Sequence, residues 1–434
     1  MTKKFYHIIA VILAVVLAFP ASVFASGGAS HGHEEEGLDV KTIIFEHLGD
    51  GYGWEVPFNH AYRIPLPVIV KAEDGQWFCF SSGSLTEVIV TEDEASGKKE
   101  KHLVPVVRKI ERDGKTYEFV IAKVSEHKDK VVQIFPLSAQ EEAAVKTKAD
   151  SIAVASHIDA SKAVVPGYVN FDGSYYREYR TFDISITKNV LALFICAVLV
   201  TLMVMSVVRH YAKKGMRAPR KGMGFMEMLI DFVYTGVIKN TLGEKNGRKF
   251  APYLLTCFFF ILVMNLVGLI VIFPGGANLT GNIAITMVLA LLTFIVTNVL
   301  GKKHYWKEIF WPDVPLFLKF PLPIMQVIEI FGIFTKPAAL CVRLFANMMG
   351  GHMIVITLVL LIFIFAAFGA AATGGSLVVS IAFTMFMLAL DVLVSFIQAY
   401  VFTMLSTMFI SMAQEEEHEH KDNVEALVPD AVEA

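Results

Sequence analysis

The stretch "CVRLFANMMGGHMI", residues 341–354, lies inside a long apolar run yet carries an arginine, an asparagine and a histidine. A charge at the centre of a bilayer costs roughly 2.5–3.5 kcal/mol even on the mildest scales. A helix that keeps Arg343 there needs a reason to keep it. Glu329, Lys336 and Arg343 recur every seven residues, so at 100° per residue each falls within about 20° of the last. Asn347 and Gly350 continue that stripe with Ala346 beside it, and small residues let a second helix approach the arginine closely. Lys336, beside Pro337, also reads as a long basic side chain able to reach the interface. His352, nine residues beyond Arg343, points to roughly the opposite side by the same angle.

Outward from this stretch the chain keeps its apolar character. It has 434 residues, of which 55% are hydrophobic and 18% charged. That balance is too apolar for a soluble protein of this size and makes membrane spans the first expectation. Residues 190–208, 251–273 and 283–300 hold no Asp, Glu, Lys or Arg and run 19, 23 and 18 residues, about what a bilayer core requires. The loops "RHYAKKGMRAPRKG" and "GKKHYWK" are basic, and "PGGANLTGN" between them is uncharged. The positive-inside rule then puts the first and third loops in the cytoplasm and the second outside. "GFMEMLIDFVYTGVIKNTL" reads as an amphipathic helix on the membrane surface.

Two further apolar segments, residues 321–368 and 376–411, are longer than a perpendicular span. They are expected to tilt, kink or run partly in the membrane plane, with Pro337 a candidate kink and the flexible "GAAATGG" joining them. In the second, Asp391, Ser395, Gln398 and Phe402 form an i, i+4, i+7, i+11 stripe whose only ionisable member is Asp391. A file of titratable groups through apolar helices is what a proton path requires.

The N-terminus reads as a secretion signal over residues 1–25, with "MTKK", an apolar core and "VFA" before Ser26. Residues 26–183 then form a polar, strand-rich domain that the signal places outside the cytoplasm. "WFCFSS", "LTEVIVTED", "HLVPVVRKIE" and "YEFVIAKVSE" are short β-branched and aromatic runs between turn residues. Asp113-Gly114 predicts a tight hairpin, and "EEAAVKTKAD" a short helix. "RDGKT" lacks the first glycine of a phosphate loop, because position 109 is Lys. "HGHEEE" at 31–36 reads as solvated chain more than as a metal site. The four cysteines form neither a disulfide framework nor a zinc site. A net charge of −3 gives no footprint for nucleic acid. Residues 415–434 make an acidic tail, expected in the cytoplasm.

The segments "TKPAALCVRLFANMMGGHMI" and "IQAYVFTMLSTMFISMA" resemble the a subunit of F-type ATP synthases, the membrane stator of a proton-driven rotary motor. The likeness runs from about residue 183 to 414, and "IIFEHLGDG" is similar to the segment that opens the family. The resemblance implies a mainly α, polytopic protein of the bacterial inner membrane with two long tilted membrane helices, here with an added β-rich extracytoplasmic N-terminal domain. It implies that Arg343 faces the carboxylates of a c-subunit ring and that Asn347 and Gln398 lie beside it. Glu329 would serve the cytoplasmic half-channel; His352, Asp391 and Asn265 the external one. Acid and imidazole stand exchanged between positions 352 and 391 relative to the family pattern, which implies that they act as a pair. Gly268 stands where the family often has Asp. The implied partners are the c-ring, the b subunits of the peripheral stalk, the rest of the complex and membrane lipid. No cofactor or metal is implied, and without a nucleotide motif the chain is non-catalytic for ATP by itself. The alternative is an ion-coupled secondary transporter using Asp391 and Arg343. The lack of an internal repeat and the small number of full spans speak against it. A membrane-anchored sensor would have anchors of ordinary length.

Overall fold

The computed structural model describes residues 49–56, 59–92, 99–156, 159, 162–215, 222–270, 278–310, 324–366 and 370–414. The expected signal, the "HGHEEE" segment, most of "IIFEHLGDG" and the acidic tail lie outside them. The chain divides into two compact units whose described residues are 49–191 and 192–414.

The first unit is β-rich. Its strands are β1 (Gly53–Val56), β2 (Asn59–Pro65), β3 (Pro67–Lys71), β4 (Trp77–Ser81), β5 (Thr86–Glu92), β6 (Lys99–Pro105), β7 (Arg108–Arg112), β8 (Lys115–Ile121) and β9 (Val131–Pro136). Helix α1 (Ala139–Ser156) follows, then β10 (Tyr168–Phe171), β11 (Ser174–Arg180) and β12 (Phe182–Asp183). A five-stranded antiparallel sheet has the order β10-β11-β9-β8-β7, and a three-stranded one the order β12-β3-β4. Val68, Val70 and Phe78 of the smaller sheet pack with Tyr117, Phe119 and Val131 of the larger in one core. Inward residues alternate along β3, β4 and β8, as the period of two demands.

The hairpin expected at Asp113-Gly114 joins β7 to β8 with Arg112 opposite Lys115. Both loop residues have positive φ, 53° and 75°, which a type I′ turn requires. Asp172-Gly173 repeats the device between β10 and β11, with φ of 51° and 77°. Helix α1 opens with a capping box: Ser138 N–H donates to Glu141 Oε2 (3.1 Å) and Glu141 N–H to Ser138 Oγ (3.5 Å). Its Val145, Ala149 and Ala153, four apart, bury against Tyr175. Tyr52 Oη donates to Asp183 and accepts from Val131 N–H at 3.2 Å. Burial, and after it the facing Asp183, pushes that hydroxyl far above its ordinary pKa and keeps it a donor.

The second unit is helical. Helix α2 (Lys188–Lys214), whose first turn belongs to the β-rich unit, leads into it. It is followed by α3 (Gly222–Val233), a π-helical stretch (Tyr234–Lys239), α4 (Asn240–Gly268), α5 (Ile283–Val299), α6 (Lys303–Phe310), α7 (Ile324–Ala366) and α8 (Ala370–Gln414). Among the described residues four helical segments are long and apolar enough to cross a membrane: Lys188–Lys213, Gly222–Gly268, Gln326–Leu358 and Leu377–Gln414. Helix α5 is apolar but has 17 residues, about 25 Å at 1.5 Å per residue. Phe194, Val198 and Leu202, four apart on α2, are more than half exposed, the pattern of a lipid-facing stripe.

Two local expectations are corrected, and Pro337 falls within a continuous helix. The stretch read as one surface helix at 224–242 is α3, a π-helical segment and the start of α4, with a break at Gly243 (φ 72°). Pro337 does not interrupt α7, which runs 43 residues as one helix. Six of the residues read as the flexible "GAAATGG" joint, Ala370 to Gly375, lie in the first turns of α8. Alanine is the best helix former, and a membrane leaves backbone groups no partner outside a helix.

Candidate functional site

Helix α8 packs against both α4 and α7, and the polar groups singled out in the sequence fall on these three helices. On α8 the stripe turns inward: Asp391, Ser395, Gln398 and Phe402 are all buried, with exposures of 8%, 0%, 7% and 2%. Three of these four are polar, so burial follows from helical phase and not from hydrophobicity alone. Ser395 Oγ donates to the Asp391 carbonyl at 2.7 Å, the back-bond a helical serine makes when it is dry.

Asn265 on α4 is fully buried, and its Nδ2 donates to the Ser395 carbonyl at 3.4 Å. One turn later on the same face, the Gly268 carbonyl meets His352 Nε2 of α7 at 3.3 Å. His352 therefore reaches a backbone oxygen at the position where the family pattern leads one to expect an aspartate. Beside His352, Gly351 touches the carboxyl of Asp391 so closely that a Cβ there would fall 2.5 Å from Oδ1. Asn265, Gly268, Gly351, His352, Asp391 and Ser395 thus close a circuit across the three helices. Within it Asp391 Oδ2 and Asn265 Oδ1 are buried without a hydrogen-bond partner among the described residues. Orphan polar atoms of this kind in a dry core are expensive and mark places where a proton, water or ligand completes the set.

Arg343 lies elsewhere. It is exposed on the outer face of α7 together with Ala346 and Asn347, while Leu344 and Met348 on the other side are buried. Among the described residues it makes no hydrogen bond or ion pair. Glu329, half-buried, sits near the α7 N-terminus beside Tyr305 of α6. Burial, and after it the Glu329 charge, raises the Tyr305 hydroxyl pKa. Tyr305 Oη donates to Asn298 Oδ1 at 3.3 Å. A cavity of about 20 Å³ opens here among Thr293, Thr297, Asn298, Tyr305 and Lys336, enough for one water. Lys336 Nζ lies 5.7 Å from the Phe409 ring centre, within cation–π range.

The predicted residues therefore occupy three places along α7. At about 1.5 Å per residue, Glu329 is roughly 21 Å from Arg343 in one direction and His352 roughly 13 Å in the other. Gln398 is buried seven residues beyond Asp391 on α8. Sequence reasoning misses Gly351 and Tyr305. A glycine in an apolar run gives no sign of what approaches it, and Tyr305 reads only as part of a basic loop. It also misses the hydroxyl contacts that stitch the helices, where Thr293 Oγ1 lies 3.0 Å from Tyr253 Oη and 3.5 Å from Ser406 Oγ. Among the described residues there is no group of three or more His, Cys, Asp or Glu placed to hold a metal ion.

Long apolar helices carrying buried polar groups and an outward arginine define an integral membrane protein. Comparison with known proteins narrows this. Residues 190–411 match the model of the family described as ATP synthase A chain, and residues 43–134 match a separate model described as a domain of unknown function. ATP synthase subunit a of Chloroherpeton thalassium is 41% identical over 258 residues, 58% of this chain and 73% of the relative. ATP synthase subunit a of Myxococcus xanthus is 39% identical over 247 residues, covering 56% and 77%. ATP synthase subunit a 2 of Chlorobaculum tepidum is 40% identical over 245 residues, covering 56% and 67%. The chain belongs to the ATP synthase A chain family.

Proposed function

We propose that this chain is the proton-translocating stator subunit of an F-type ATP synthase, with Arg343 as the barrier between two half-channels. The observation that carries the reading is the order along α7: a polar cluster at Glu329, an exposed and unpaired Arg343, then the buried circuit at His352 and Asp391. Protons enter from outside through Asn265, Asp391 and His352 and protonate a carboxylate on a ring of c subunits that faces Arg343. They ride the ring and leave past Glu329, Tyr305 and the small cavity beside Lys336. Asn347 and Gln398 assist near the arginine. The guanidinium, charged at every relevant pH, attracts each deprotonated ring carboxylate and blocks direct passage between the two routes. An arriving carboxylate makes an exposed cation within the membrane tolerable. Each proton crossing 100 mV releases about 2.3 kcal/mol, so several must pass per ATP.

The same reading places the β-rich unit outside the cytoplasm behind a cleaved signal, the acidic tail in the cytoplasm, and the b subunits against the helical unit. The basic loops at 209–222 and 301–307 support that topology. The test is ATP-driven proton pumping in inverted membrane vesicles with Arg343→Ala. Loss of pumping with the complex intact is the expected result, and undiminished pumping sinks the gate.

A further inference from the structure

The smaller sheet of the β-rich unit has an outer face that water does not account for. Strand pairing sets Phe182 opposite Lys71 and Lys71 opposite Trp77, and Ile69 opposite Cys79. The chain beyond β12 stays on β3: Ile184 N–H donates to the Ile69 carbonyl (3.0 Å) and Ile186 N–H to that of Pro67 (3.2 Å). Residues in register share a face. Val68, Val70 and Phe78 take the inner face and fill the core. The outer face therefore presents Phe182, Ile184, Ile69, Trp77 and Cys79, with Lys71 among them. Phe182 is 63% exposed, Ile184 55% and Trp77 45%. A solvated sheet face is ordinarily polar, as on β7, where Lys109 and Glu111, on the side away from Ile110, are exposed. The apolar face is ordered: Trp77 and Phe182 meet edge to face at 6.2 Å, and Lys71 Nζ lies 5.9 Å from the Trp77 ring centre.

The next element of the chain determines what this face meets. The strand-like run ends at Ile186, and α2 begins at Lys188. The first turn of α2 is tied to this same unit: Lys188 N–H donates to the Gly51 carbonyl (2.9 Å) and Asn189 N–H to Asp50 Oδ1 (3.3 Å). At about 3.3 Å per residue, Ile184 lies at most roughly 13 Å, and Phe182 roughly 20 Å, from the start of a helix apolar enough to cross the membrane. Aromatic rings, aliphatic side chains and a snorkelling lysine are the composition of a membrane interface.

We propose that the outer face of the β12-β3-β4 sheet docks on the membrane surface. Trp77, Phe182 and Ile184 enter the boundary between head groups and acyl chains, and Lys71 meets lipid phosphates. The strand leading into α2 then runs along the bilayer, not away from it. This assignment is independent of the proton route and requires only that α2 enters the bilayer.

Cys79 supplies the probe. It lies on this face and is exposed, whereas Cys196, Cys257 and Cys341 are buried. A nitroxide is attached to Cys79 in the full chain, assembled in its complex and reconstituted in liposomes containing anionic lipid. Its collisions with oxygen and with a water-soluble nickel chelate are compared with those of the same label on Lys148→Cys, an exposed position on α1. Docking gives an oxygen-to-chelate ratio several-fold higher at Cys79 than at position 148. Equal ratios mean the face is in water, and weak collision with both reagents means another protein covers it; either result overturns the proposal. The double variant Trp77→Ala/Phe182→Ala should raise chelate collisions at Cys79 several-fold, and unchanged collisions would also refute docking.

Discussion

Helices α7 and α8 are near twins in length, 43 and 45 residues, and opposite in how they use polarity. Helix α7 turns its arginine outward, with Ala346 and Asn347 beside it. Helix α8 turns its polar groups inward: Asp391, Ser395, Gln398, Thr403, Ser406 and Thr407 are all buried. A buried hydroxyl in a membrane helix satisfies itself on the preceding turn, as Thr403 and Thr407 do at 2.8 and 2.7 Å. A guanidinium with five donors has no such option. It demands a partner from beyond the helix, whereas the inward hydroxyls of Ser395, Thr403 and Thr407 find theirs one turn back on the same helix. The contrast separates an outward face whose charge has no partner among the described residues from an inward face whose hydroxyls bond to their own helix.

The largest effect expected is at Arg343. Its replacement by alanine should abolish coupled pumping, while Asp391→Asn, which removes a titrating group and keeps the shape, should slow pumping roughly 100-fold, the usual size for losing a proton-transfer group. Equal losses in the two variants would erase the distinction between barrier and relay. Exchanging the residues at 352 and 391 sharpens the inward half. The double variant His352→Asp/Asp391→His should pump faster than either single one, and no improvement would disprove that they act as a pair. Next comes Gly351→Ala, whose new Cβ falls against Asp391 Oδ1. Overpacking of that kind costs about 1–3 kcal/mol. The complex should assemble with pumping reduced several-fold, whereas Gly350→Ala, with nothing within 4 Å of its Cβ among the described residues, should pump as wild type if no partner helix needs that space. Ser406→Ala should remove an interhelical contact worth about 0.6 kcal/mol in a membrane. It should lower resistance to denaturant in detergent and leave the pumping rate alone.

Helical phase makes most of this contrast legible in the sequence. An i, i+4, i+7, i+11 stripe of three polar residues and a phenylalanine identifies the buried face of α8 without reference to any neighbour, and seven-residue spacing groups Glu329, Lys336 and Arg343. Phase does not say which neighbour arrives. Nothing in "NMMGGHMI" distinguishes Gly351, which touches a carboxylate, from Gly350, which touches nothing among the described residues. Proline at position 337 does not end its helix, because a membrane helix with a missing bond still has no better conformation available. At Pro105 it is the better guide, since the run "HLVPVVRKIE" ends one strand there and, after two residues, starts another in a different sheet. The Asp172-Gly173 hairpin carries the same signal as Asp113-Gly114 and is legible in the same way.

Those two hairpins also set the order in which the larger sheet assembles. Each closes through a two-residue loop, and hairpins of that kind form in about 1–10 μs. The pairs β7–β8 and β10–β11 are therefore local events, and β9 joins β8 across a short connection. The remaining seam, β11 on β9, brings Arg180 to Val132 across the whole of α1. Chain entropy opposes that closure until the helix has shortened the intervening path. The capping box at Ser138, which starts α1 immediately after β9, thus acts on the speed of folding as well as on the finished helix.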